Sequence, residues 1–478
     1  MLARSAVLFL LLVRIAQADA IDYRVHYAAT TPELVTVALR PAAPLIAPLP
    51  LIMPRTYPGG YAQIPYDDFV SQVVAKGADG KLLAVVRDPD GPRWMLGQAG
   101  DAVASVEYTV DIARMEGAVQ DAVATSKHRS GYLALLGYSI FAYLEGGEDR
   151  PIHLQIDAPP GWPVLSTLAP KLPSPLGASA ATALDFYELA DSQILMGPDF
   201  KVTKLDGAIP LFMAIYSEGE VDAVLEGHLA REALDRVQSY FGDTPIPQYT
   251  VQLELLRPQP AHHYGFSQEH IESGTFSLSL DAALTARSPA RDLERLQFNY
   301  AHHMAHSWIP KRAYGVGYRP FSWEMAPVID TIWFNEGFGR YAAIQAMASG
   351  MAPEQGQAFR DSQLRTLKHV IDAAPPFIRR MPLDVLSREA SFLYSADFRT
   401  GRNVFARGAL MAAEMDDRIQ AQTQGKKSLR DALRWLLGWS AQHPGPFATK
   451  DLAGYFATAT GVDVADILAH WQRPLDSP

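Results

Sequence analysis

Two prolines, Pro289 and Pro310, bound the stretch of chain that most limits how it can fold. Ser288 followed by Pro289 is a helix start, with serine as N-cap and proline at the first helical position. A helix opened there runs through "NYAHHMAHSW" and stops before Pro310, which cannot continue it. Within it His302 and His306 are at i and i+4 and share one face. Two imidazoles on one helical face make half of a zinc site. Paired histidines also occur on plain polar surface, so a further ligand must decide between the two.

"WFNEGFGRY", Trp333 to Tyr341, offers one. It sets Glu336 in an apolar segment that reads as a helix from Thr331 to Met347, closed by Gly350. A buried carboxylate is costly unless it is paired or bound to a metal. A salt bridge to a nearby arginine would satisfy it. So would a metal, held by two histidines and one glutamate with a position open for water.

The rest of the chain frames this segment. At 478 residues it is too long for one core, and two to four domains are expected. From Ile21 onward it is strand-rich: Val106, Tyr108, Val110 and Ile112 alternate with polar neighbours, and "IHLQIDAPPGWP" is a strand running into a turn. No helix-length periodic run stands out there. After Ala178, Val221 to Phe241 carries apolar residues at four-residue steps, an amphipathic helix. Tyr249 to Leu255 alternates as a strand. Helices are expected at Val404 to Gln424, at Asp463 to Trp471, and from Ser428 through Trp439, where Ser428 and Asp431 form a capping box. The reading is a multidomain α+β chain: a leader at residues 1–20, an N-terminal β-sandwich at 21–180, an α/β domain at 181–385 and a helical domain at 386–478.

The leader has the parts of a secretory signal. Arg4 is its positive region, Val7 to Val13 its apolar core, and Ala18-Asp19-Ala20 its cleavage site, so the mature chain is expected to begin at Ile21 in a periplasmic or secreted protein. The apolar run is far below the ~20 residues that span a membrane. With 0 cysteines, disulfides, thiolate metal sites and cysteine nucleophiles are excluded. The net charge of −10 is spread along the chain, which argues against a nucleic-acid partner.

W-x-N-E-G-F downstream of H-x-x-x-H resembles the zinc signature of gluzincin aminopeptidases. The gap from His306 to Glu336 (336 − 306 = 30) is similar to that of the glycyl aminopeptidase family. "HSWIPKR", "HYGFSQEH", "PRTYPGGY", "GPRW", "FARGALMAAEMDDRI" and "KSLRDALRWLL" resemble further motifs of that family, so the likeness covers nearly the whole mature chain. The PDZ domain that often follows is not expected, because the chain ends too soon. The resemblance implies a thermolysin-like catalytic domain at 181–385 and zinc held by His302, His306 and Glu336. It also implies a Glu269 on an edge strand that grips the free amine of a peptide, as a carboxylate can.

Two positions depart from the family. The general-base glutamate is replaced by His303, and the transition-state tyrosine by Phe405 in Phe405-Ala406-Arg407-Gly408. A positioned base contributes roughly 10²–10⁴ in rate, and one oxyanion donor roughly 10²–10³. His303 could be the base, a metal ligand or a bystander; Tyr394 and Glu324 are conceivable substitutes for the lost groups. Two functions follow: an exported zinc aminopeptidase with impaired catalysis, or a silent relative that binds peptides in a zinc cleft. A surface protein without metal is the remaining reading.

Overall fold

The computed structural model describes residues 20–168 and 177–475. The expected leader therefore lies outside the described residues, apart from Ala20. The strand-rich reading of the N-terminal part corresponds to an eight-stranded sheet and two four-stranded sheets between Ile21 and Met196. Ile21–Tyr27 is buried at every second residue, the signature of a strand with one face on a core. It pairs in parallel with Ile152–Asp157 and antiparallel with Leu34–Pro41. This part is not free of helix: Ile112–Ala118 is a short one, capped by Asp111, whose side chain accepts from the Arg114 amide. It is too short to carry a readable period.

Beyond it, a five-stranded sheet runs in the order Lys201–Leu205, Leu211–Ser217, Tyr249–Leu256, Ser273–Ser279, Phe266–Glu269. Tyr249–Leu256 is buried at all its positions, as parallel strands covered on both faces are. The edge strand Phe266–Glu269 runs antiparallel to its neighbour Ser273–Ser279. The amphipathic helix is Ala223–Phe241, capped by Asp222 and closed by Gly242 in the left-handed conformation. The helix Ala290–Ala305 packs beside it.

That histidine helix starts one residue later than the sequence suggests. Pro289 is its N-cap, not Ser288, whose hydroxyl instead accepts from the Thr285 amide in the preceding turn. The expected helix after Thr331 is a π-helical turn, Trp333–Phe338, that continues as the helix Gly339–Ser349. The remaining helices of eight residues or more are Pro353–Asp372, Leu383–Leu393, Phe398–Thr423, Leu429–Gln442, Thr449–Thr460 and Ala465–Gln472. The capping box of Ser428 and Asp431 is formed as expected. Among the described residues no helix is long and apolar enough to cross a membrane.

Candidate metal centre

The histidine helix, the π-helical turn and the edge strand meet at one place. His302 and His306 lie on the last turn of their helix, His306 as its C-cap. Both Nε2 atoms lie 3.6 Å from Glu336 Oε2. A tetrahedral ion with bonds of about 2.0–2.2 Å separates its donors by roughly 3.4 Å, so this spacing fits one zinc-sized ion. His306 Nδ1 donates to the Ile309 carbonyl at 2.8 Å, which leaves Nε2 with its lone pair toward Glu336. That Nε2 is buried and has no hydrogen-bond partner. Burial, together with His306, His303 and Arg340, holds His302 well below the ordinary imidazole range, in the neutral form a metal needs.

Glu336 owes its position to the π-helical turn, a local widening common at functional sites. Two glycines let the neighbouring helix come close to it. A Cβ on Gly408 would stand 1.9 Å from the Trp333 carbonyl oxygen, and one on Gly337 2.5 Å from the Gly408 backbone. Burial pushes the Glu336 carboxyl up, and Glu269 adds to that push, while His306 opposes it.

Glu269 stands at the end of the edge strand and is buried. Burial alone would raise its carboxyl, but His306, His303 and Lys311 outweigh that and hold it below the usual range. Its Oε2 lies 3.5 Å from His303 Nδ1, long for a hydrogen bond, and its Oε1 has no partner. Glu269, His303 and His306 form a second possible metal-holding group beside His302, His306 and Glu336. His306 has only Nε2 to offer, so the two groups are alternatives. The His302 group is buried at all three members, whereas His303 is partly exposed.

The structure separates Glu324 and Tyr394, the two substitutes suggested for catalytic groups that the resemblance leads one to expect. Glu324 is held by Arg93 through two contacts of 2.6 Å. Tyr394 is close: its ring is 5.4 Å from Phe405 and 6.4 Å from Tyr61. Phe405 is 6.3 Å from the same Tyr61 ring.

Tyr61 was not legible as a site residue. It belongs to "PRTYPGGY", in the loop after strand Leu49–Ile52, and its hydroxyl donates to Glu336 Oε1 at 2.9 Å. Its φ of 45° is unusual for a tyrosine. In the same loop Gly59, at φ 87°, lies against Glu269, and the Pro58 carbonyl accepts from Gln268 Nε2 at 2.9 Å. The signal available in the sequence was the paired glycine and its neighbouring tyrosines in a turn.

Residues 22–198 match the family model described as Peptidase M61 N-terminal domain. No curated protein matches the chain. Among solved structures, an aminopeptidase N family protein from Idiomarina loihiensis superposes with a TM-score of 0.81 at 18% identity, over 96% of this chain and 76% of that one. An M1 zinc metallopeptidase from Deinococcus radiodurans superposes with a TM-score of 0.54 at 15% identity, over 96% of this chain and 95% of that one. A mutant of that metallopeptidase, bound to a Tyr-Ser-Ala substrate, gives 0.54 at 14%, with the same coverage. At these identities the likeness is one of fold: a mixed α+β architecture with several sheets and a helical C-terminal region.

Proposed function

We propose that the chain is an exported zinc metallopeptidase of aminopeptidase type, related to the glycyl aminopeptidases, which removes residues from the N-termini of peptides. The observation that carries this reading is the convergence of His302, His306 and Glu336 at a spacing that suits one ion. Zinc at these residues would supply a Lewis acid that polarises a carbonyl and acidifies water.

The chain's own groups would then divide the remaining work. Glu269 is the anchor for the substrate's α-ammonium, with its unpartnered Oε1 as the free acceptor. His306 is oriented by the Ile309 carbonyl and Glu336 by the Tyr61 hydroxyl. His303 stands where the family places its base. With Nδ1 turned toward Glu269, it has Nε2 left to accept a proton from water. A neutral imidazole lacks the charge of a glutamate, so slow turnover is expected. The signal at Arg4 to Ala20 supports export to a periplasm or the exterior.

A second reading is favoured by Phe405, which packs where a hydroxyl is expected. On it, the chain is a silent relative that holds peptides in its zinc cleft.

Zinc analysis alongside turnover of aminoacyl reporter substrates tests both. The peptidase reading expects about one equivalent of zinc, lost in His302→Ala, and slow release that speeds up in the double variant His303→Glu, Phe405→Tyr. Zinc-loaded wild type without turnover, beside a double variant that hydrolyses, establishes the silent reading. Turnover that persists in metal-free protein rules out both.

A further inference from the structure

The buried lysines and arginine among the described residues, Lys127, Lys311 and Arg407, are matched to acceptors. Lys127 Nζ lies 2.9 Å from Glu254, and Lys311 Nζ lies 3.3 Å from Asp191. Arg407 donates to the carbonyls of Met381, Trp471 and Arg473. Arg340, which is partly exposed, is different. Among the described residues its guanidinium has no carboxylate within ion-pair distance, and its Nε is buried without a hydrogen-bond partner. What holds it is an aromatic ring: its Cζ stands 5.3 Å from the centroid of Phe298.

The place is as informative as the lack of a partner. Arg340 follows Glu336 by four residues, one helical turn. Phe298 precedes His302 by four, and their rings stack at 6.4 Å with an interplanar angle of 10°. Guanidinium, phenyl and imidazole thus form a row that ends at the metal residues. Its Nε is shut off from solvent while the residue as a whole is partly exposed, and Glu336 does not meet it by contact. With a dication at the histidines the local field would be more positive still. Arg402, exposed and stacked over Phe398 at 5.6 Å, is a second guanidinium without a carboxylate, and both arginines act electrostatically on Tyr394.

We infer that Arg340, floored by Phe298, is a carboxylate-binding subsite adjoining the metal residues. It would take the free C-terminal carboxylate of a short peptide, or an acidic side chain just behind the cleaved bond. This rests on the peptide-cleft reading above. One helical turn rises about 5.4 Å and an extended residue spans about 3.3–3.6 Å, so the carboxylate would belong to a residue one or two positions past the one at the metal.

The test is calorimetric titration of the zinc-loaded full chain with Ala-Ala-Ala as free acid, Ala-Ala-Ala amide and Ala-Asp-Ala amide, with hydrolysis followed in the same samples. Wild type is expected to bind the free acid about 10- to 100-fold more tightly than the plain amide, the range of a charge-assisted contact. Tight binding of the aspartyl amide assigns the subsite to a side chain, and weak binding assigns it to the chain end. In Arg340→Gln the preference should fall to near unity with zinc content unchanged, and Arg340→Lys should keep part of it. Equal binding of acid and amide by wild type overturns the inference without any variant, as does a preference that survives in Arg340→Gln or a failure to bind any of the three. Turnover without acid preference removes the subsite alone; acid preference without turnover removes the peptidase reading alone.

Discussion

The Tyr61 hydroxyl and the Glu336 carboxylate meet at 2.9 Å across 275 positions of sequence. A loop from the strand-rich part of the chain thereby orients a residue of the candidate metal centre. Such outer contacts fix ligand geometry, and losing one typically costs about 10- to 100-fold in metal affinity. Tyr61→Phe keeps the ring packing against Tyr394 and Phe405 but removes the donor. Zinc affinity measured by chelator competition should fall by that range while the thermal midpoint of the metal-free protein barely moves. Unchanged affinity would mean that the contact does not support the metal.

Gly59 makes the same loop's other contact. Its φ of 87° suits glycine, and a Cβ there would stand 2.0 Å from Glu269 Oε1. Gly59→Ala must displace either the loop or the carboxylate. If Glu269 anchors the substrate amine, KM for peptides should rise several-fold with zinc content intact. A variant with wild-type KM would show that Glu269 is free to move without loss, and the anchoring role would fail.

The sequence revealed what has a short period or a fixed spacing. The i, i+4 histidines and the capping box of Ser428 and Asp431 are local, and the structure contains them where expected. Glu336 was visible because a carboxylate in an apolar run is anomalous, yet its π-helical turn was not, since i+5 bonding leaves no mark on apolar spacing. Tyr61 and Arg340 were missed for another reason. Their meaning depends on which distant groups they meet, or fail to meet, and neither residue is unusual in its own neighbourhood. The aim of Glu324 was equally hidden, because its partner Arg93 lies 231 positions away.

Asp191 joins the strand-rich part to the segment behind Glu269. Its carboxylate receives His270 Nδ1 at 3.2 Å, the Ile271 amide at 2.7 Å and Lys311 Nζ at 3.3 Å, all buried or nearly so. Removing one partner of a buried pair typically costs about 3–5 kcal/mol, because the other charge is stranded. Asp191→Ala should lower the unfolding free energy in urea by that amount. Asp191→Leu with Lys311→Met should cost much less, since no lone charge remains. If the double variant is as unstable as the single one, the cluster acts through shape and not charge.

Glu226 gives a pH dependence that does not involve the candidate metal ligands. It sits in the first turn of Ala223–Phe241, buried, and accepts from the Tyr300 hydroxyl at 2.7 Å on the histidine helix. Burial raises its carboxyl to about 7, above the ordinary value of 4.5. The folded form therefore holds its proton over a range where the unfolded chain has released it. Stability from this group is fully present below pH 4.5, declines as the pH rises, and is lost by about pH 7. The loss is at most about 3.5 kcal/mol, at about 1.4 kcal/mol per pH unit. Glu226→Gln, which stays neutral and can still face Tyr300, should leave stability nearly unchanged at pH 4 and raise it at pH 8. The difference between the two unfolding free energies at each pH is the quantity to measure. A gain of equal size at both pH values would trace the effect to packing, and a loss at pH 8 would mean that the ionised carboxylate is stabilised by its tyrosine despite its burial.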